Sequence, residues 1–274
     1  RGPAPGAALM AQADERERAG GEPSCTLRAV PVSRPFAWLS SGMRDLAHAP
    51  GPSLLHGLVV VIAGIAILAL SMRAWPLLPG AFSGFVLIAP ILATGLYELS
   101  RRLEDGEAPT LAHVFGAWAR GTRPLVWMGL GLALAATLWV LVSALLVALF
   151  VHAPITGLRE FLRLVVVGEG SNLFPLWLTL GGVGASVVFA ATVVSVPLLL
   201  DREIGLGAAL ATSVRAVGEN PVTMALWAAI IMVLTFLSMA TFMLGFAITI
   251  PVIGHATWHA YRDVVDASAL PRRT

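Results

Sequence analysis

The chain has 274 residues, of which 57% are hydrophobic and 12% are charged, and its formal net charge at pH 7 is +2. Average soluble proteins are about 45–50% apolar and about 25% charged. This chain therefore has too little polar surface to cover a water-soluble globule of its size. The composition excludes a soluble enzyme, a disordered regulator and a nucleic-acid-binding domain, and it predicts a protein that lies in a lipid bilayer.

Missing residue types narrow the chemistry further. All 18 basic residues are Arg, so the chain has no lysine for Schiff-base chemistry. The one cysteine, Cys25, can form neither an internal disulfide nor a cysteine-based metal site. The sequence has no phosphate-binding loop, nucleophile elbow or pair of catalytic carboxylates. We therefore expect a protein that is not an enzyme and that has no metal site, the histidines discussed below being the one alternative.

The chain begins with a polar segment, residues 1–35, which is rich in Ala, Gly, Pro, Arg and Glu and has no apolar periodicity. Because such a segment cannot bury enough apolar surface to fold, we predict a disordered cytoplasmic tail. Four apolar residues then share one face of a helix: Phe36, Leu39, Met43 and Leu46. Since Asp45 lies off this face, the pattern predicts an interfacial helix that leads into the first span. A plain loop is the alternative.

The apolar stretches predict an all-α fold, a polytopic transmembrane helical bundle with interfacial helices. A spanning helix needs about 20 largely apolar residues, and six segments meet this length: 54–72, 80–100, 124–150, 174–200, 222–243 and 246–262. The last two form one apolar run that is too long for a single crossing, so the chain must turn back near Leu244 and Gly245. A re-entrant final segment is the alternative. The membrane domain then covers 36–266, and 267–274 forms a second cytoplasmic tail.

The distribution of arginine predicts the orientation. With six spans, 15 of the 18 arginines fall in the N-terminal segment, the 101–123 and 202–215 loops and the C-terminus, whereas Arg73, Arg159 and Arg163 fall on the opposite side. The positive-inside rule then places both termini in the cytoplasm, and the predicted location is the bacterial inner membrane.

The two large basic loops resemble each other and predict a duplicated hairpin-like unit. In each, a proline near the end of a span (Pro90 or Pro197) precedes a charged patch, a short helix of small residues and a proline that opens the next span. Repeats in the same direction are related by an axis along the membrane normal. The first patch carries Glu98 and Arg102 at a spacing of four, and we interpret it as a solvated helix end.

Four pairs of small residues predict close packing of helices. In each pair the residues are four apart, so that helix backbones could approach closely, within the bundle or against a partner subunit. The pairs are Gly80 with Gly84, Gly129 with Ala133, Gly181 with Ala185, and Gly182 with Ser186.

Segment 155–167 is too polar to span the membrane. It predicts an external interfacial helix with an apolar face of Leu158, Phe161, Leu162 and Val165.

Histidine supplies the main candidate for chemistry. His255 and His259 lie one helical turn apart on one face, as two ligands of one metal or haem would, and His56 is expected at the same end of the bundle. No third ligand is fixed by local spacing. The alternative is a belt of polar and aromatic residues at the membrane interface, or hydrogen bonds between helices. No cofactor is required by the sequence, although haem at His255, His259 and His56 stays open.

The middle of every predicted span lacks charged residues. Proton pumps, ion-coupled carriers and voltage sensors carry charges at membrane depth, so these classes are disfavoured. A carrier of a neutral or lipid-like substrate stays open, because the duplication is compatible with one.

Five motifs together resemble a known family: Trp-Leu-Ser-Ser-Gly at 38–42, Pro-Ser-Leu-Leu-His-Gly at 52–57, Leu-Ile-Ala-Pro at 87–90, Gly-Leu-Tyr-Glu-Leu-Ser-Arg-Arg-Leu-Glu at 95–104 and Gly-His-Ala-Thr-Trp-His-Ala-Tyr-Arg-Asp at 254–263. They resemble an uncharacterised bacterial family of multi-span integral membrane proteins, a domain of unknown function, over residues 36–266. Some members are labelled as cytochrome c oxidase subunits. The resemblance implies a membrane fold and supplies no catalytic residues.

The histidines test that label. A catalytic haem–copper subunit needs about six histidines deep in its spans, whereas His48, His113 and His152 lie outside the membrane or at a span end here. The remaining three are too few. The charge-free spans and the small-residue pairs predict a non-catalytic accessory, structural or assembly subunit in contact with lipid and with membrane-protein partners, and the resemblance implies a place beside a respiratory oxidase complex.

Overall fold

The computed structural model describes residues 25–71, 81, 85, 89–119, 121–155, 157–168 and 172–273. The described part is almost entirely helical, with one two-stranded antiparallel sheet of β1 (Thr26–Leu27) and β2 (Val265–Asp266). In chain order the helices are α1 (Arg34–His48), α2 (Pro50–Ser71), α3 (Ala89–Leu92), α4 (Thr94–Glu104), α5 (Leu111–Ala119), α6 (Arg123–Phe150), α7 (Leu158–Phe161), α8 (Leu173–Thr192), α9 (Ser195–Asp201), α10 (Leu206–Glu219), α11 (Pro221–Ala240) and α12 (Phe246–Val264).

Helix α12 lies at the centre, packed against α1, α2 and α4. Two glycines allow its neighbours to approach closely. A Cβ atom added to Gly57 would lie 2.3 Å from the carbonyl oxygen of Ala247, and one added to Gly42 would lie 2.6 Å from that of Val252. Both positions therefore put helix backbones in direct contact, which is the packing that small residues permit in membrane proteins.

The predicted helix near Phe36 is present as α1 and has Pro35 in its first turn, where the missing N–H costs little. Its apolar face, however, does not cover the core. Phe36 and Met43 are exposed, whereas Trp38 and Gly42 are buried against the rest of the protein. The exposed apolar side suits a helix at a lipid interface, and the side that carries Asp45 faces inward.

The predicted boundary of the disordered tail is wrong for residues 25–35. Thr26 and Leu27 pair with Val265 and Asp266 in the small sheet. Asn220, buried at the start of α11, accepts a hydrogen bond from the Val30 backbone N–H at 2.8 Å. Residues 1–24, the rest of the predicted tail, lie outside the described residues. The C-terminal stretch is also ordered up to residue 273, with Leu270 buried in the largest apolar cluster.

Among the described residues, four helices are long and apolar enough to cross a membrane: Pro50–Leu70, Arg123–Phe150, Leu173–Asp201 and Pro221–Ala240. They coincide closely with four of the six predicted spans. The third of them is interrupted at Val193 and Val194, which separate α8 from α9. Thr122 is the N-cap of α6, and its side-chain oxygen accepts a hydrogen bond from the Leu125 N–H.

The other two predicted spans differ in character. Most of 80–88 lies outside the described residues, and the described end of that segment, α4, is buried from Thr94 to Arg101. Segment 246–262 forms α12, which is long enough to cross but too polar to count among the four. The predicted turn before it is confirmed at 241–245, where Phe242 and Met243 adopt the left-handed conformation that non-glycine residues seldom take.

The two similar loops fold in the same order. In each unit a break in the helix, at Ala93 or at 193–194, precedes a buried helix that contains a buried carboxylate (α4 or α9), a loop and a short helix (α5 or α10). A long helix follows (α6 or α11), with proline in its first turn. Within each unit the short helix packs against the buried one.

The small-residue pairs have varied surroundings. Gly80 and Gly84 lie outside the described residues. A Cβ atom added to Gly129 would reach only ordinary contact with Ile91, and one added to Gly182 would meet nothing within 4 Å in the described chain. The ring of Trp139 covers Gly181. The partners of these three glycines, Ala133, Ala185 and Ser186, are exposed.

Segment 155–167 is partly helical as predicted, with α7 followed by a π-helical turn at Leu162–Val167. Val165 packs with Leu146 and Leu173, whereas Leu162 is exposed. The side chain of Leu158 lies outside the described part of the chain.

Candidate functional site

Five polar side chains from α1, α2, α4 and α12 form one hydrogen-bonded group, which we call the histidine cluster: Asp45, Ser53, Ser100, His255 and His259. The two ring nitrogens of His255 lie 2.9 Å from Ser53 Oγ and 2.7 Å from Ser100 Oγ. The Ser100 hydroxyl donates to Asp45 Oδ2 at 2.6 Å. The same carboxylate oxygen accepts from His259 Nε2 at 2.9 Å. The chain of contacts is therefore continuous from Ser53 to His259.

The donors and acceptors in this chain fix the state of His255. Because the only hydrogen of the Ser100 hydroxyl goes to Asp45, His255 Nδ1 must carry a hydrogen and donate it to Ser100 Oγ. In the neutral ring Nε2 is then the acceptor, and Ser53 donates to it. His255 is fully buried, and both of its nitrogens are used within the protein.

Asp45 is the charged member of the cluster and lies outside the spans. Burial raises the pKa of its carboxyl group, but the hydrogen bonds from His259 and Ser100 outweigh this effect. The pKa of Asp45 therefore lies below its ordinary value, and the group is a carboxylate at neutral pH. An ionised acceptor at this position strengthens both of the hydrogen bonds that it receives.

His56 lies at the same end of the bundle, as predicted, but outside the hydrogen-bonded chain. It is buried and makes a hydrogen bond to the backbone of Leu92. Its ring lies against Gly95, since a Cβ atom added there would be 3.3 Å from His56 Cε1. The structure thus brings all three predicted histidines to one region, where they join α2, α4 and α12.

A second group, which we call the arginine cluster, surrounds the two buried carboxylates of the repeated loops: Glu98, Arg101, Arg102, Asp201, Arg202 and Tyr261. Glu98 accepts from Arg101 Nε at 2.8 Å and Nη2 at 3.0 Å, and from Arg102 Nε at 2.9 Å. Asp201 Oδ2 accepts from Arg202 Nε at 2.9 Å and from the Tyr261 hydroxyl at 2.8 Å.

These contacts correct the interpretation of the first charged patch as a solvated helix end. Glu98 and Asp201 are each only 1% exposed. The predicted pairing of Glu98 with Arg102 is present, but Arg101 also turns toward Glu98. Carboxylates are seldom buried unless paired, and here each is held by guanidinium groups.

The C-terminal segment closes the arginine cluster. Glu104 accepts from Trp258 Nε1 at 3.1 Å and pairs with Arg262 at 2.9 Å. Arg272 pairs with Asp105 at 2.7 Å, and the carbonyl oxygen of Arg273 accepts from Arg101 at 2.7 Å. The N-terminal segment, both basic loops and the C-terminus therefore meet at one end of the molecule, which agrees with the side shared by these segments in the sequence.

The chemistry available to these groups is limited. Within the described residues, no three His, Cys, Asp or Glu side chains are arranged to hold a metal ion. A haem or metal at His255 would have to displace Ser53 or Ser100, and one at His259 Nε2 would have to displace Asp45. The arrangement is that of hydrogen-bonded cross-links between helices, one of the alternatives that the sequence left open.

Several residues of this region do not stand out in the sequence. Ser53 and Ser100 lie within two of the five motifs, those at 52–57 and 95–104, but nothing in their spacing indicates that they contact His255. Gly42, which permits the backbone contact of α1 with α12, lacks a small residue four positions away, and Gly57 of α2 has only Ser53 at that spacing. The spacing of Trp38, Gly42 and Asp45 places the three on one helical face. This spacing is the sequence signal that could have indicated which side of α1 packs against the protein.

A family profile described as "Predicted integral membrane protein (DUF2189)" matches residues 77–201, somewhat less than half of the chain. The matched part includes two of the five motifs, those at 87–90 and 95–104, together with the arginine cluster up to Asp201. Searches of curated proteins and of solved structures found no match. The description does not mention a respiratory oxidase. Together with the four apolar helices, the match identifies a multi-pass integral membrane protein.

Proposed function

We propose that this protein is a non-catalytic accessory or structural subunit of a membrane complex. The observation that carries the proposal is the use of the buried polar groups. The titratable side chains of the histidine and arginine clusters bond to one another, and those contacts link separate segments of the chain. Groups used in this way stabilise an arrangement of helices, and they leave no acid, base or nucleophile directed at a substrate.

The outward face of α6 supplies the surface for a partner. Leucines recur along one side of this 28-residue helix at the spacing of helical turns: Leu130, Leu134, Leu138, Leu141 and Leu145. All five are more than half exposed. Lipid is the alternative cover for such a stripe, and the experiment below distinguishes it from a protein partner. The exposed small residues Ala185 and Ser186 on α8 add a second face at which a helix of another subunit could approach closely.

The proposed topology has six spans, with 80–100 and 246–262 added to the four apolar helices, and the duplicated units related by an axis along the membrane normal. The end that carries the histidine and arginine clusters then faces the cytoplasm, in the inner membrane of a bacterium. The excess of arginine at this end supports the orientation. The association with a respiratory oxidase rests on the family resemblance alone.

A carrier for a neutral or lipid-like substrate is the competing function. It requires a polar cavity between the duplicated units at membrane depth. A cavity of about 150 Å³ does lie where the units meet, but it is lined by Glu98, Arg101 and Arg273 at the polar end. A larger cavity of about 430 Å³, lined by His152 and Arg163, lies at the opposite end of α6 and not between the units. The described residues favour the structural role, because neither cavity is a polar one between the units at membrane depth.

Site-specific photo-crosslinking in native membranes tests the proposal. A photoreactive residue at Leu138 or Leu141, on the outward stripe, should give one discrete adduct with a second protein. The same residue at Ser143, which is buried on the inner side of α6, is the matched control and should give none. Adducts with lipid alone at both outward positions would refute a partner on this face.

A further inference from the structure

The cavity at the junction of the two units has the character of an anion site. It lies between the start of α6 and the arginine cluster, and we call it the arginine pocket. Two guanidinium groups line it, those of Arg101 and Arg273, together with the hydroxyl of Thr122. One carboxylate, Glu98, also lines it, but this group already accepts hydrogen bonds from Arg101 and Arg102. The charged groups that line the pocket are therefore two guanidinium groups and one carboxylate.

The guanidinium groups retain donors that the described part of the chain does not use. Arg101 is 8% exposed, and its hydrogen bonds to Glu98 and to the Arg273 carbonyl oxygen use three of its five N–H groups. Arg273 donates from Nη2 to the carbonyl oxygen of Arg202. Its Nε atom is buried and has no hydrogen-bond partner in the described chain. A buried donor without a partner costs free energy, and an oxygen of a bound anion would satisfy it.

The shape and position of the pocket indicate which anion. Its volume of about 150 Å³ leaves room for a tetrahedral oxyanion, since a single water molecule needs only about 10–15 Å³ by this measure. The first turn of α6 borders it at Thr122 and Leu125, and a helix N-terminus favours negative charge. Arginine pairs especially well with phosphate.

The surroundings of the pocket match the depth of a lipid headgroup. Trp127, two residues beyond Leu125, is exposed at the start of a span, where tryptophan is enriched in membrane proteins. Val126 and Leu130 are also exposed on α6. An anion held in the pocket would thus stand next to the apolar surface along which acyl chains can lie. Basic pockets between spanning helices are known to hold anionic headgroups.

We propose that the arginine pocket binds a phosphate group, carried either by an acidic phospholipid or by free inorganic phosphate. Arg273 and Arg101 donate to the phosphate oxygens, and the N-terminal turn of α6 contributes its positive dipole. Leu125 and Leu200, one from each duplicated unit, form the apolar wall. A bound phosphate would then link the two units to the C-terminal segment. The proposal holds or fails independently of any partner subunit.

Binding to the purified full-length protein in detergent tests this site, measured by native mass spectrometry with phosphatidylglycerol and, separately, with inorganic phosphate. Arg273→Gln should weaken binding about tenfold, which equals about 1.4 kcal/mol and is in the range for one charge-assisted hydrogen bond. Arg272→Gln is the matched control. It removes the same charge from the neighbouring residue, which pairs with Asp105 and does not line the pocket.

The two binding experiments, one with phosphatidylglycerol and one with inorganic phosphate, distinguish the two sources of the phosphate group. If phosphatidylglycerol binds with this dependence on Arg273 and excess inorganic phosphate does not displace it, the ligand is a lipid headgroup. If inorganic phosphate binds with the same dependence, the ligand is the free ion. Ala117→Leu, which fills part of the pocket without changing charge, should also reduce binding. The proposal is overturned if neither ligand binds the wild-type protein. It is also overturned if the Arg273→Gln and Ala117→Leu variants both bind the ligand as tightly as the wild type does.

Discussion

The polar end of the protein and its apolar body are held together by different means. In α12, 11 of 19 residues are buried, and its histidines, tyrosine and arginine bond to α1, α2, α4 and α9. In α6, only 22% of the most apolar window is buried. Because lipid is as apolar as leucine, apolar contact alone gives little attraction between spans. A helix that is too polar to count among the four apolar ones therefore organises the fold, whereas the apolar helix α6 supplies outer surface.

The largest effect should come from the polar end. Asp201→Ala leaves the buried Tyr261 hydroxyl and the Arg202 guanidinium without their acceptor. Removing one partner of a buried pair costs about 3–5 kcal/mol, and we expect a loss of that size in the free energy of unfolding. Reversible unfolding in detergent micelles provides the measurement. Glu219→Ala, in the exposed pair with Arg215, is the control and should change stability by less than about 1 kcal/mol. Equal losses of stability from Asp201→Ala and Glu219→Ala would contradict the prediction that the buried ion pair contributes more than the exposed one.

The second effect concerns backbone contact. Gly57→Ala would place a Cβ atom 2.3 Å from the Ala247 carbonyl oxygen, so α2 and α12 must separate. Overpacking of this kind costs about 1–3 kcal/mol. Gly182→Ala is the matched control in the apolar body, since its new methyl group meets nothing within 4 Å. Thermal unfolding of both variants provides the measurement, and the unfolding temperature should fall much more for Gly57→Ala than for Gly182→Ala. A similar loss at Gly182 would show that α8 packs as tightly as α12.

A third effect should depend on pH. The pKa of Asp45 is lower in the folded protein than its ordinary value of about 3.9. The stability that its ionisation contributes is therefore fully present above about pH 4 and is lost as the pH falls through the folded pKa. Unfolding midpoints measured downward from neutral pH should show this loss in the wild type and a weaker loss in Asp45→Asn. Identical pH profiles for the two proteins would contradict the role assigned to the carboxylate.

The smallest effect is expected on the outward stripe. Truncating Leu138 and Leu141 together to Ala should change the stability of the isolated protein by about 0.5 kcal/mol or less, as at other exposed positions. The buried Leu132, on the inner side of the same helix, is the comparison, and Leu132→Ala should cost about 2–5 kcal/mol. Denaturant unfolding in micelles separates the two. A large loss from the outward pair would indicate that the stripe packs within the protein.

The sequence predicts the apolar body better than the polar end, for a physical reason. Span length and hydropathy are local properties, so α6 and α11 are placed within a few residues. The burial of Glu98 and Asp201 depends instead on partners that lie far away along the chain, such as Tyr261 and Arg273. The spacing of His255 and His259 correctly indicates a shared face, but their bonds to Ser53, Ser100 and Asp45 are set by the packing of four helices.

The same limit explains the small-residue pairs. A spacing of four identifies glycines that can pack, and Gly181, Gly182 and Gly129 fit this pattern without touching another backbone in the described chain. The glycines that do so, Gly42 and Gly57, lie on different helices and both pack against the central helix α12. Tertiary context therefore decides which small residues form contacts.

Co-purification from native membranes in mild detergent tests the central claim most directly, namely that the polar end maintains the fold while the outward face engages a partner. We predict that the wild type and a folded His255→Asn variant retain one stoichiometric membrane-protein partner. The Leu138→Ala/Leu141→Ala double variant, equally stable in isolation, should lose it. A wild-type protein that purifies alone in several mild detergents, or a partner lost only from the folded His255→Asn variant, would contradict the account.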